Sequence, residues 1–334
     1  MAQKKHIPIQ IVTMARDLKL GSKPDPFSAI VKFCEKQIQQ IIAEMDGCDS
    51  LSDLLDWVGQ KVGTIFREIH NDKDLQDIKN EYCARDEKAF ANLENELSVG
   101  VYGVTYRLLN PEEFENHHVS LIDCRSTKSP RSYFTKWHEI AHLLTLTDQN
   151  RLVFRRTHSS ISGADPEERL MDSIAGRIGF YDGIFHKHIK GELSFNEIER
   201  LRLHLCPEAS QQASLINFVK YWSSPCIHLT VGMGLNKTQE ANLSQGTFDF
   251  VPPAEEALRA LRAKSNEEAK KINFQLFDNM RVPENSVILK VFQNNLDYAE
   301  ADEDLGWWSG QKTYPVKVKV RKLADLIDVL IIPN

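Results

Sequence analysis

Apolar residues recur at three- and four-residue spacing along two early stretches. These are 25–45 (Ile30, Phe33, Ile38, Ile41) and 51–70 (Leu54, Leu55, Val58, Val62), and the spacing predicts two amphipathic helices. Lys79 to Leu97 is highly charged and predicts an exposed helix. The period then changes. Val99 to Leu108 is rich in β-branched and aromatic residues and predicts a strand, with a second at His118 to Cys124. Ser129-Pro130 supplies an N-cap and a first-turn proline for a helix that runs to about Leu146. After a loop rich in arginine and serine, Asp165-Pro166 opens a helix carrying Glu168, Asp172 and Ala175. Two more helices fit 195–205 and 208–222.

The pattern shifts again after Trp222. Pro225 opens a strand-like run, CIHLTVGMG, followed by a loop and a charged helix at 254–272. Strands are expected at 273–278, 285–292 and 314–322, the last alternating Val316, Val318, Val320 with Lys317, Lys319, Arg321. A domain boundary therefore falls near residue 223, dividing the chain into 1–222 and a smaller β-rich part at 223–334.

Length and composition narrow the class. A chain of 334 residues has room for two ordinary cores. Its net charge of −6 gives no global attraction to nucleic acid or to an anionic membrane, so such a partner needs a local basic surface. No window is apolar enough to span a bilayer, and the opening segment has no signal-peptide apolar core. The six cysteines are scattered without CxxC pairs, which fits a reduced interior. The expectation is a cytoplasmic protein.

The candidate chemistry lies in the middle of the Ser129–Leu146 helix: His138-Glu139-Ile140-Ala141-His142. Residues four apart share a helix face, so both imidazoles can reach one metal ion. Glu139, beside the first histidine, is then placed to take a proton from a water polarised by zinc. Two histidines need a third protein ligand. Asp148 has the right offset for an HExxHxxGxxD arrangement, but Thr145 stands where that arrangement turns on glycine. Glu168 opens the next helix, with Asp172 one turn later to orient a ligating histidine. Against this, Asp165-x-x-Glu168 also reads as a capping box, and the residues alone leave the two readings of Glu168 balanced.

A strand, a loop, an HExxH helix and a second helix with Glu-x-x-x-Asp-x-x-Ala (His138, Glu139, His142, Glu168, Asp172, Ala175) resembles the ImmA/IrrE family of metallopeptidases. The resemblance covers about 95–222. It implies a zincin-like α+β domain binding Zn2+ with Glu168 as third ligand (Glu167 if the register slips by one), followed by a GAF-like regulatory domain. It further implies that the substrate is a partner transcriptional repressor, as for similar peptidases of phage-defence operons. One departure is Phe180 to Ile184, where family members often carry a Leu-Leu-Met-Pro-like segment.

Three further sets of residues invite functional readings. Cys124 ends the strand before the motif helix, a strand expected to edge the cleft. Its thiolate is a candidate inhibitory zinc ligand, the alternative being a small packed residue. Lys317, Lys319 and Arg321, with Arg281 and Lys312 near and Trp307-Trp308 between, form a candidate single-stranded-DNA surface. The alternative there is an ordinary exposed strand face or a protein-docking surface. Tyr133 and His158 are candidates for stabilising an oxyanion. The functional expectation is a zinc endopeptidase relieving repression on a signal; the rival is a non-catalytic regulator in which the metal only stabilises the fold.

Overall fold

A computed structural model describes residues 7–21, 23–45, 47–98, 100–112, 116–146, 153–157, 165–236, 239, 256–309, 313–323 and 326–334, with backbone alone at 153–157 and 309. The fold is mixed α+β with two small sheets. The chain forms two compact units, 1–187 with 201–214, and 188–200 with 215–334.

The first unit opens with α1 (Ile9–Asp17), α2 (Pro26–Glu44) and α3 (Leu51–Lys61). The helix expected over 51–70 stops at Lys61. Gly63 takes φ +72, a left-handed conformation that glycine tolerates, and turns the chain into β1 (Thr64–Ile69). The charged helix also differs from expectation. Asn71 and Asp74 form a capping box that starts α4 (Asp72–Ala84) early, and Asp86 at φ +62 ends it. The short α5 (Leu93–Glu96) follows. Next come β2 (Val101–Arg107), β3 (His118–Asp123), α6 (Ser132–Leu144), β4 (Val153–Thr157), α7 (Pro166–Gly179) and α8 (Asp182–Phe185).

The sheet order is β1-β3-β2-β4, with β1 parallel to β3 and the other pairs antiparallel. Both faces are covered. Val104, Tyr106, Val119 and Leu121 pack with Leu75, Ile78 and Tyr82 of α4 and with Phe90 and Leu93. The alternate positions Gly103, Thr105 and Ser120 form the opposite face, on which α6 lies. A second layer holds α6 from behind: buried Trp137 packs on Gly179 of α7, and the Tyr133 hydroxyl donates to the Gly179 carbonyl at 2.6 Å.

Helices α9 (Phe195–Leu205) and α10 (Gln211–Lys220) lead into the second unit. There the elements are β5 (Ile227–Gly234), β6 (Ala257–Ser265), α11 (Glu267–Lys271), α12 (Val287–Asn294), β7 (Tyr298–Asp304), α13 (Gly306–Ser309), β8 (Pro315–Leu323) and β9 (Leu326–Pro333). They build an antiparallel sheet of order β6-β5-β9-β8-β7.

Several expectations fail in this unit. The helix predicted for 254–272 is mostly strand, because pairing with β5 outweighs local helix preference; among its described residues only 267–271, capped by Asn266, is helical. The run at 285–292 is α12, started by Ser286 and ended by Asn295 in the left-handed region. Residues 273–278 form no regular element. Strands β7 and β9 were not expected. Among the described residues no helix is long and apolar enough to cross a membrane.

The α6–α7 contact gives a first prediction. A β-carbon on Gly179 would come within 2.6 Å of Trp137 Cδ1. Gly179→Ala should therefore destabilise the protein by about 1–3 kcal/mol, read as a lower midpoint in urea denaturation.

Candidate metal centre

Helix α6 is buried on nearly every side, and its motif residues are the most enclosed part: His138 is 1 % exposed, Glu139 0 % and His142 2 %. Buried polar side chains persist only when paired, and here the partners come from α7. Asp165 caps that helix by accepting the Glu167 N–H at 2.9 Å, with Pro166 in the first turn. This sets Glu167 and Glu168 in the opening turn, facing α6.

Glu168 lies with its two oxygens against the two histidines, Oε2 at 3.3 Å from His138 Nε2 and Oε1 at 3.4 Å from His142 Nε2. The two Nε2 atoms are 3.2 Å apart. Asp172 Oδ1 takes the other nitrogen of His138, Nδ1, at 2.9 Å. Glu167 Oε1 lies 3.8 Å from His142 Nδ1. Each ring thus presents Nε2 inward and has an acidic group behind it, the arrangement that fixes ligating histidines. Burial pushes the Glu168 carboxyl up, but hydrogen bonds and charge from both histidines outweigh it and hold the group well below the usual carboxylate range.

The residues fit zinc. Tetrahedral bonds of zinc to nitrogen place neighbouring donor atoms ~3.3 Å apart; the two Nε2 atoms stand 3.2 Å apart, and one donor atom from each of His138, His142 and Glu168 lies within 4.8 Å of the other two. Glu139 Oε1 is buried without a hydrogen-bond partner. No family model matches the chain, and no curated protein matches it. The functional reading therefore stands on this geometry and on the motif.

Glu139 is held by a feature that its helix position does not reveal. Thr105 Oγ1 donates to Glu139 Oε2 at 2.7 Å. With its one proton used, Thr105 accepts from Ser120 at 2.7 Å, and Ser120 in turn accepts from Thr64 at 2.9 Å. A line of hydroxyls from β1, β3 and β2 thus ends on the glutamate. Gly103 makes room for it: a β-carbon there would stand 2.7 Å from Thr135 Cγ2 and 3.0 Å from Glu139 Oε1. Burial raises the Glu139 carboxyl above its ordinary range, opposed by His142, His138 and Thr105. On the α7 side of the centre the Glu168 and Asp172 side chains are 22 % and 47 % exposed.

The other candidates separate. Cys124 follows β3, which is an inner strand between β1 and β2, not a cleft edge. Among the described residues two groups of three metal-binding side chains occur, and Cys124 belongs with Glu68 and His70, not with the histidine pair. Its thiol is pushed up to about 11, chiefly by burial and then by Glu68. Tyr133 is buried with its hydroxyl on Gly179 O, so it is committed to packing. Asp148, His158 and Lys312 lie outside the described residues.

The expected basic face is not an open one. Lys319 is buried, with Nζ donating to Leu193 O at 2.9 Å and standing 3.7 Å from Glu192. Lys317 Nζ is 3.8 Å from Glu192, and Arg321 pairs with buried Asp328 at 3.6 Å and lies over the Phe195 ring. Across the ladder, Asp302 opposes Lys317 and Glu300 opposes Lys319. Trp308 is a core residue; Trp307 is half exposed. Arg281 lies 3.8 Å from Glu284.

Two outcomes follow from these contacts. Thr105→Val should cost about 1–3 kcal/mol of stability, since it strands a buried carboxylate oxygen, while leaving bound zinc unchanged by elemental analysis. Lys319→Met should weaken the second unit by about 1–3 kcal/mol in thermal denaturation, because it strands the Leu193 carbonyl.

Proposed function

We propose that this chain is a zinc endopeptidase whose substrate is a partner transcriptional repressor. The observation that carries the catalytic part is the convergence of His138, His142 and Glu168, one donor atom of each within 4.8 Å of the other two, with the motif glutamate beside them. The repressor as substrate is what the family resemblance implies. His138, His142 and Glu168 hold the ion. Zinc supplies a Lewis acid that polarises a carbonyl and makes water acidic near neutral pH.

The remaining chemistry belongs to the chain. Glu139 accepts the proton of the attacking water and passes it to the leaving amine. Thr105 occupies Oε2, which leaves Oε1 as the oxygen free for that proton. A raised carboxyl suits the task, since a base that must later give its proton back works best when its pKa approaches the ambient pH. Asp172 orients the His138 imidazole through Nδ1, and Glu167 lies near the Nδ1 of His142. The second unit has a regulatory role in this reading. Single-stranded DNA is not retained as its signal, because Lys319 and Trp308 are interior residues.

A second reading, in which the metal is structural and the protein acts by binding, is favoured by the near-complete burial of the motif side chains. One experiment separates them. Under the peptidase reading Glu139→Gln keeps stoichiometric zinc and loses cleavage of the partner repressor by at least about 100-fold. His138→Ala, His142→Ala and Glu168→Ala each lose the zinc. A Glu139→Gln protein that relieves repression as well as the wild type assigns the metal to structure.

A further inference from the structure

The group formed by Glu68, His70 and Cys124 has no part in the proposed peptidase chemistry. It is assembled by the parallel pairing of β1 and β3. Their ladder extends past β3, because the Cys124 N–H donates to Ile69 O at 2.8 Å, and this brings Cys124 alongside the residue that follows Ile69, His70. Glu68 and His70 are two residues apart and so project to the same side of the chain. One donor atom from each of the three side chains lies within 4.8 Å of the other two. His70 Nε2 is 3.2 Å from Glu68 Oε2.

An ion pair accounts for part of this cluster. Lys136 of α6 holds Glu68 Oε1 at 2.6 Å, and His70 meets the second oxygen. Neither contact uses the sulfur, which has the Ser132 side chain beside it. A thiol, an imidazole and a carboxylate converging from two strands is a donor set that suits a borderline-soft divalent ion and suits calcium or magnesium poorly. Lys136 then has the role of an outer partner that fixes the carboxylate while Oε2 remains free to ligate. The His70 side chain is 59 % exposed, which gives the ion a path in and leaves a further coordination position to water.

We propose that Glu68, His70 and Cys124 form a second site for zinc or a similar ion, separate from the His138–His142–Glu168 centre. On binding, the thiol proton passes to solvent as the metal–sulfur bond forms, with no change of oxidation state. The site ties the ends of β1 and β3 together and, through Lys136, links them to α6. It stands whether or not the chain is a peptidase, because it shares no ligand with that centre.

The test is titration of the metal-stripped full-length protein with cobalt(II), followed by absorbance. A thiolate ligand produces a near-ultraviolet charge-transfer band, which a His-His-Glu centre lacks. Two equivalents are expected per chain, one of them carrying the band. Cys124→Ser should abolish the band and one equivalent. His70→Gln, a change at an exposed side chain, should weaken the band-bearing equivalent at least about tenfold, the loss typical of even an indirect metal partner. His138→Ala should remove the other equivalent and keep the band. The proposal is overturned by a wild-type protein that gives no band, by a band that survives Cys124→Ser, or by affinity unchanged in His70→Gln. It is also overturned by a band that vanishes with His138→Ala while the circular dichroism is unaltered, an outcome that puts the thiolate on the first centre.

Discussion

Burying two imidazoles and a glutamate within one helical turn is the demand to which the first unit is built. Unpaired, each such group costs roughly 2–7 kcal/mol in an apolar interior. Helix α7 answers with three acidic residues in its first two turns, Glu167, Glu168 and Asp172, each against an imidazole. The sheet answers with hydroxyls in place of valines on the α6 face of β2 and β3. The apolar side of the same strands is left to do the packing, with Val104, Tyr106, Val119 and Leu121 all buried. The two small residues at the helix contacts, Gly103 and Gly179, follow from the same demand: α6 must sit close enough to sheet and helix for these pairs to form.

What could be read from the sequence was local. The histidine pair, the Asp165-Pro166 helix start and the strands around Val104 and Leu121 depend on spacing within one element, and the structure has them where the period put them. On the residues alone Glu168 was balanced between a third donor and a capping residue, and the described structure brings it to both histidines. What could not be read depends on which strands become neighbours. The hydroxyl line to Glu139 needs the register of three strands. The Cys124 group needs the parallel pairing of two segments far apart in sequence. Strand β1 was hidden because Leu54 to Val62 continues smoothly towards it, and only Gly63 breaks the helix.

The second unit shows the same limit from the other side. Alternation in β8 was legible, and Val316, Val318 and Val320 do face the core. Which side the lysines met was not. Alternation separates two faces of a strand without saying that the polar one is wet. Residues 192–195 lie against that face, so Lys319 and Arg321 serve a carbonyl, an aspartate and an aromatic ring inside the unit. Strand β6 was read as helix because Ala, Leu, Arg and Lys dominate it, and pairing with β5 overrode that preference.

The parallel pairing of β1 with β3 carries a kinetic consequence. Register sets Thr64 beside His118, a contact between distant parts of the chain that must pay loop-closure entropy before it returns any energy. Helix α6, by contrast, needs only its own neighbours to form. The imidazole pair can therefore arise early in folding, whereas the hydroxyl line that orients Glu139 is complete only once the distant strands have docked. Competence for proton transfer is thereby tied to a long-range pairing step, and a half-folded chain carries the motif without its aligned base.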